Sequence, residues 1–495
     1  MRKTQGTVTL LVAALAILAV ACAATEEKKD DTTGGDTGPT AGFTLYASFA
    51  NGLNQHKWNA CEVDRDIVSS ALRLAMTCGN MQANATHDLN LESTGVRDAT
   101  KVTATLKFPG SGVSIPSGGN VRSAVGLAYQ PVAYRGVSSQ DFVEARVEFF
   151  QMDGGSPVAI GRVFRCTDAA CTPGARIDGS RTDGGDANGV ITGSLAADTP
   201  YTASVEYDGS QFILTFNGVA GTWAPPTGFD AANFSHVRLR NRIVSGSTDG
   251  QSGSFTATFD DVVATNASAA EVLNDNFDAS ANIDTVKWAD GDGSRHVVNE
   301  ALVVHQLQAN LERTFNTVLA NSASIQGLQA DVTVTSHFEE SSTNAAVARI
   351  QKSLFNDGTM GDGYGGRNGD VFAQVFVREQ AVMYSLFRCI DAACSDGAAL
   401  HQASLGTLGG LNELAKLMLF WDGAKLYVRL NSDPVVTYDP VAEGGMTMAN
   451  ATPAGGHLAS IGTRVSNVST VEPGLPIPAG EYGEVTATFD NIYVK

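Results

Sequence analysis

Thr256-Ala-Thr-Phe-Asp-Asp261 and Thr486-Ala-Thr-Phe-Asp-Asn491 are nearly the same six residues written twice in one chain. In a strand, successive side chains point to opposite faces, so Ala and Phe fall on one face and the two threonines on the other. Working outward, the match continues. Val163-Phe-Arg-Cys-Thr-Asp-Ala-Ala-Cys171 returns as Leu386-Phe-Arg-Cys-Ile-Asp-Ala-Ala-Cys394, and Tyr207-Asp-Gly209 returns as Trp421-Asp-Gly423. Phe49 followed by Lys57-Trp58 returns as Phe277 followed by Lys287-Trp288. The copies span 43–266 and 272–495, and a unit of that length is a domain rather than a solenoid repeat. The join from Ala264 to Asn274 is short and lacks Pro and Gly, which predicts little freedom between the copies.

Inside each copy the apolar period is two. Val102, Ala104, Leu106 and Phe108 alternate with Thr103, Thr105 and Lys107; Leu426, Val428 and Leu430 alternate with Tyr427 and Arg429. Such runs are strands with one face on a core. Clusters of Gly, Asn and Asp separate them. With 52 glycines, 17% charged and 43% hydrophobic residues, the chain is poor in helix signals yet able to bury a core. These features predict an all-β protein with two tandem antiparallel β-sandwich (jelly-roll) domains. The net charge of −19 removes nucleic acid from the partners.

Residues 1–21 carry a targeting signal. Met1-Arg2-Lys3 is basic, Val8 to Ala21 is an apolar run too short for a comfortable membrane span, and Ala19-Val20-Ala21 precedes Cys22. The last four resemble a bacterial lipobox, which makes Cys22 the lipidated residue; Ala19 stands where that pattern has Leu, and Ala19-x-Ala21 also fits an ordinary cleavage site. Residues 22–42 lack large apolar side chains and read as a flexible tether. The expected location is the outer membrane or cell surface, through a lipid anchor at Cys22, with soluble secretion as the alternative.

Seven cysteines leave three pairs beyond Cys22. The repeat matches Cys166 and Cys171 with Cys389 and Cys394, so each pair is expected to close locally, leaving Cys61 for Cys78. Export makes disulfides chemically reasonable.

The opening Phe…Lys-Trp, the Tyr/Trp-Asp-Gly turn and the closing Thr-x-Thr-Phe-Asp-Asn, in this order, resemble the concanavalin A-like lectin/glucanase superfamily, which includes the laminin G-like jelly rolls. The resemblance implies curved sheets whose concave face binds glycans. It also places Glu144-Ala-Arg146-Val-Glu148 where the glucanases carry catalytic carboxylates, so Glu144 and Glu148 are candidate nucleophile and acid/base. Against this, Arg146 between them would depress both pKa values, and the second copy reads Phe372-Ala-Gln374-Val-Phe376. The row is alternatively an exposed ion-paired row, or a set that hydrogen-bonds sugar hydroxyls. Tyr129, Tyr134 and Tyr364 are candidate sugar-stacking rings, while the repeated Trp58 and Trp288 read as packing. Glu62-Val-Asp64-Arg-Asp66 reads as surface charge. The resemblance further implies a structural calcium in the second domain, on Asp275, Asp278 and Asp490. The expected function is a non-catalytic surface lipoprotein presenting two modules for carbohydrate binding or adhesion, with surface proteins as further partners. The alternatives are a hydrolase of β-glucan-like polysaccharide through Glu144 and Glu148, and a structural envelope component.

Overall fold

Alternation of apolar and polar residues becomes alternation of buried and half-exposed side chains along Ala99–Lys107, where Val102, Ala104 and Leu106 are buried. The same holds for Phe212–Phe216 and Leu426–Leu430. In the computed structural model the described residues are 41–495 without 48, 51, 95–97, 132–138, 169–170, 172, 184–188, 310–312, 341–343, 360–365, 392–393, 395–396 and 468–481. Cys22, the signal and the tether lie outside them. Among the described residues every pairing between named strands is antiparallel, and there is no α-helix, only two single 3₁₀ turns at Pro173–Ala175 and Ser322–Ser324.

The strands form a 16-stranded sheet, a seven-stranded sheet and a six-stranded sheet. The seven-stranded sheet packs on one half of the large sheet around Val147, Phe149, Leu106, Phe216 and Phe255. The six-stranded sheet packs on the other half around Ile350, Val375, Leu417 and Phe489. These are two β-sandwiches sharing one long sheet. The seam is Glu62–Val68 against Gly293–Val298, with Gly293 opposite Arg65 and Arg295 opposite Val63. The carboxylates of Glu62 and Asp64 are therefore seam residues rather than free surface charge. His296 lies 2.6 Å from Asp64 and 3.6 Å from Glu62, and Arg295 donates to the Cys61 carbonyl at 2.7 and 2.9 Å.

The sequence repeats and the packed sandwiches do not coincide, because the opening segments are exchanged. Thr44–Ala47 pairs with the C-terminal strand Tyr482–Val494, and Glu271–Asp275 pairs with Gln251–Asn266. Phe49, Leu53 and Trp58 are buried in the second core; Phe277, Ile283 and Trp288 are buried in the first. The local geometry is the same in both. Phe49 stacks on Trp58 at 5.1 Å and Phe277 on Trp288 at 5.9 Å, and both phenylalanines have φ 54°. After Trp58 the chain crosses to the other sandwich within Asn59-Ala60-Cys61. The described chain is one compact unit.

Other left-handed positions repeat as well: Gly209 and Gly423 at φ 97° and 101°, and Asp261 and Asn491 both at 48°. Positive φ is costly for most side chains, so its recurrence marks turns that both copies require. The disulfides are Cys61–Cys78, Cys166–Cys171 and Cys389–Cys394, as the repeat implies.

Candidate functional site

The outer faces of the two smaller sheets are the places where polar side chains converge. On the seven-stranded sheet, Val143–Met152 aims Ala145, Val147 and Phe149 into the core, so Glu144, Arg146 and Glu148 emerge outward. They are nevertheless buried, at 1, 1 and 0% exposure, so an exposed row is not what forms. The reason lies on the neighbouring strands. Asn120–Gln130 offers only Ala124, Gly126 and Ala128 opposite them, and a Cβ on Gly126 would come 3.1 Å from Glu144 Oε1. The low floor lets the arginines of Phe234–Val244 close over it.

Arg146 donates to Glu144 Oε2 at 2.6 Å and to Glu148 Oε1. Arg240 donates to Glu148 Oε1 at 3.3 Å, and Arg162 and Arg122 approach its other oxygen at 3.4 and 3.5 Å. Arg238 pairs with Glu92 at 3.0 Å and Arg242 with Asp88 at 2.6 Å. Arg146 and Arg176 lie 4.9 and 4.0 Å from the Phe164 ring, and Arg176 also reaches Asp178. Seven guanidiniums thus meet five carboxylates. Burial alone would raise Glu144, but Arg146, Arg240 and Arg238 outweigh it and hold the carboxyl at about 2. Glu148 is likewise held far below the usual carboxylate range, against its burial, by Arg146, Arg122, Arg162 and Arg240. A glycosidase acid needs a raised pKa. These two carboxylates are shifted the opposite way by the guanidiniums around them.

The six-stranded sheet differs at the same strand. Phe372, Gln374 and Phe376 replace Glu144, Arg146 and Glu148, and the register builds a neutral row across five strands: Ser460, Gln351, Gln374, Ser385 and Gln402. Gln374 donates to Ser385 Oγ at 2.8 Å and accepts from Arg349 at 2.9 Å. Gln351 is 6% exposed, and its Oε1 is buried without a hydrogen-bond partner. Gln351, Gln374, Ser385 and Gln402 of this row line a pocket of about 360 Å³, together with Phe372, Phe387, Arg349, Arg367, Arg464 and Cys394 of the hairpin disulfide. Phe372 and Phe387 stack at 5.3 Å, and Arg367 lies 5.8 Å from the Phe372 ring. Amides, a hydroxyl and aromatic carbon around one hollow are equipped to hydrogen-bond and stack, not to transfer protons.

Two further expectations are corrected. Tyr129 is a core residue, 2% exposed, donating to the Ala99 carbonyl at 3.2 Å with Phe229 edge-on at 5.1 Å. Its strand position aims it inward, between Ala128 and Gln130. Tyr134 and Tyr364 lie outside the described residues. The calcium set does not assemble, because the opening segments are exchanged. Asp275 stands beside Gln251–Asn266, and four strands separate that strand from the one carrying Asp490. Asp275 instead accepts from the Trp288 indole at 2.7 Å and the Phe277 amide at 3.1 Å, with Lys287 at 3.4 Å, while Asp278 accepts from Asn276 at 2.9 Å. Among the described residues no group of three or more metal-binding side chains is assembled. The row Ser460–Gln402 was missed by sequence reading. Its signal was there in Gln351 and Gln374, single amides set beside apolar residues.

No family model matches the chain, and no curated protein matches it. Among solved structures it is similar to the mouse laminin alpha1 chain, domains LG4-5, with 9% identity, over 81% of this chain and 97% of that one, at a TM-score of 0.18. At that distance the fold described above rests on the sheets and cores themselves.

Proposed function

We propose that this protein is a non-catalytic binding module that takes a carbohydrate in the pocket of the six-stranded sheet, on a chain exported and held at the outer membrane or cell surface by a lipid on Cys22. The observation that carries the binding role is Gln351 Oε1, an acceptor buried in the pocket lining and left without a donor. Buried polar atoms are almost always paired, because leaving one unmade costs about 1–3 kcal/mol. A sugar hydroxyl supplies the missing donor, Gln374, Ser385 and Gln402 supply further amide and hydroxyl partners, and the Phe387 ring offers a surface for pyranose C–H groups. Small-molecule sites have this mix of apolar walls and a few convergent polar groups. The anchor is supported by the basic start, the short apolar run and the small residues before Cys22.

A glycan array probed with the full chain tests the binding role. Retention of at least one oligosaccharide class, abolished by Gln351→Leu with an unchanged melting temperature, is the expected result. An array with no retained glycan would overturn it. Mass spectrometry of the mature N-terminus tests the anchor, which an unmodified Cys22 would exclude.

A further inference from the structure

Lys352 is the one buried lysine among the described residues, 3% exposed. Strand alternation puts it there. Gln351 lines the pocket of the six-stranded sheet, and Ser353 accepts from the amide of Leu458, which lines it too, so both face outward. Ile350 and Leu354 are core residues, and Lys352 between them points into the second sandwich. Its cross-strand neighbours, Ala373 and Ala459, leave room for its stem. Among the described residues no group takes a hydrogen bond or a charge from its Nζ. Keeping an ammonium buried without a counter-charge is costly, and burial pushes this one down to about 8. Near neutral pH the free amine is then roughly two-hundredfold more abundant than in a lysine of ordinary pKa.

His457 stands close by, two residues before Ala459, and its Nδ1 is buried without a hydrogen-bond partner. Burial and the charge of Lys352 hold its imidazolium below the ordinary value, against the pull of Asp370. Asp370 is itself occupied, accepting from Asn356 at 2.8 Å and from the Ala454 and Gly455 amides at 2.6 and 2.9 Å. An unpaired amine and an unpaired ring nitrogen therefore share one end of the sandwich. We infer that Lys352 is a covalent attachment site for a small aldehyde, held as an imine on Nζ, with His457 Nδ1 relaying the proton that the amine sheds. The Nζ lone pair attacks the carbonyl carbon and forms the C–N bond while the C=O pair moves to oxygen. A proton passes from nitrogen to that oxygen by way of His457, the C–O bond breaks and the C=N bond closes. Both amine hydrogens leave with the carbonyl oxygen as water, so no oxidant or reductant is consumed. Desolvation beside a proton acceptor is what makes a lysine amine nucleophilic. The site faces away from the carbohydrate pocket and does not depend on that reading.

Brief treatment of the full chain with glyceraldehyde and cyanoborohydride near neutral pH reduces each imine to a stable amine, and peptide mass mapping reads its position. Lys352 should be labelled at least about tenfold faster than the exposed Lys107 and Lys425. His457→Gln should slow labelling of Lys352 at least about tenfold, with Lys107 and the melting temperature unchanged. Lys352→Met, which keeps an apolar stem in place, should abolish the fast phase and leave the exposed lysines reacting as before. Labelling of Lys352 no faster than that of Lys107, or unslowed by His457→Gln, would overturn the assignment, as would a fast phase that survives Lys352→Met.

Discussion

Trp58 and Trp288 are exchanged: each is buried in the core of the sandwich built mainly by the other's repeat. Trp58 bridges to Leu319 at the end of the edge strand of the six-stranded sheet, and Trp288 bridges to Ser93 at the matching end of the seven-stranded sheet. The two sandwiches are interlocked by these segments as well as joined by the shared sheet.

Trp58→Ala should therefore loosen the second sandwich, not the first. Deleting a fully buried tryptophan costs about 3–5 kcal/mol. Hydrogen exchange should speed up in Tyr482–Val494 and Asn344–Asn356, while Ala71–Met81 keeps its protection. Trp288→Ala should show the reverse pattern. Loss of protection confined to the repeat that carries the mutated residue would contradict the exchange.

The Glu144–Arg146–Glu148 row is structural. Arg146→Met leaves two buried carboxylates facing each other and should cost roughly 3–5 kcal/mol in urea unfolding. Replacing all three by apolar residues should not restore stability, because Arg240, Arg162 and Arg122 then lose the Glu148 carboxylate they share. Glu144→Gln should change no ligand affinity. A drop in binding without a drop in stability would place this row in the site.

The seam should weaken as pH rises. Hydrogen bonds from His296 to Asp64 and Glu62 raise its imidazolium to about 9, and burial pushes the Asp292 carboxyl up to about 7. Both folded pKa values lie above the unfolded ones. Each contribution is therefore full below the unfolded pKa and is lost as pH climbs through the folded value. Asp292 accounts for the loss between about pH 4 and 7, and His296 for the loss between about pH 6.5 and 9. His296 is partly exposed, so solvent screening keeps its share small, about 2–4 °C in melting temperature. His296→Ala should flatten the alkaline limb of Tm against pH, and Asp292→Asn the neutral one. Parallel profiles for wild type and both variants would refute the assignment.

The Cys389–Cys394 staple should matter more for binding than for stability. Its loop is short, so it removes little entropy from the unfolded chain. Cys394 nevertheless lines the pocket. The Cys389→Ser/Cys394→Ser variant should lose ligand affinity by a few fold with a small change in melting temperature, and the same change at Cys166 and Cys171 should leave affinity alone. Equal effects of both pairs would remove the disulfide from the site.

Strand alternation made the two sandwiches legible in the sequence, and the repeat made the local disulfides legible. The exchange was not, since Phe49–Trp58 and Phe277–Trp288 are alike and would satisfy either core. The burial of Glu144 was hidden for a related reason. It depends on the register that sets Gly126 opposite Arg146 and Arg238 opposite Gly126, the last from a strand far along the chain. The calcium set failed because its residues were sought within one repeat, while the fold divides that repeat between two sandwiches. The pocket draws Gln351, Gln374, Ser385 and Gln402 from four different strands, so no local motif announces it.

The most direct measurement is a crystal structure of the full chain with the oligosaccharide that binds it. The account predicts a sugar hydroxyl donating to Gln351 Oε1. A sugar bound on the outer face of the seven-stranded sheet, or anywhere else with Gln351 Oε1 still unpaired, would contradict it.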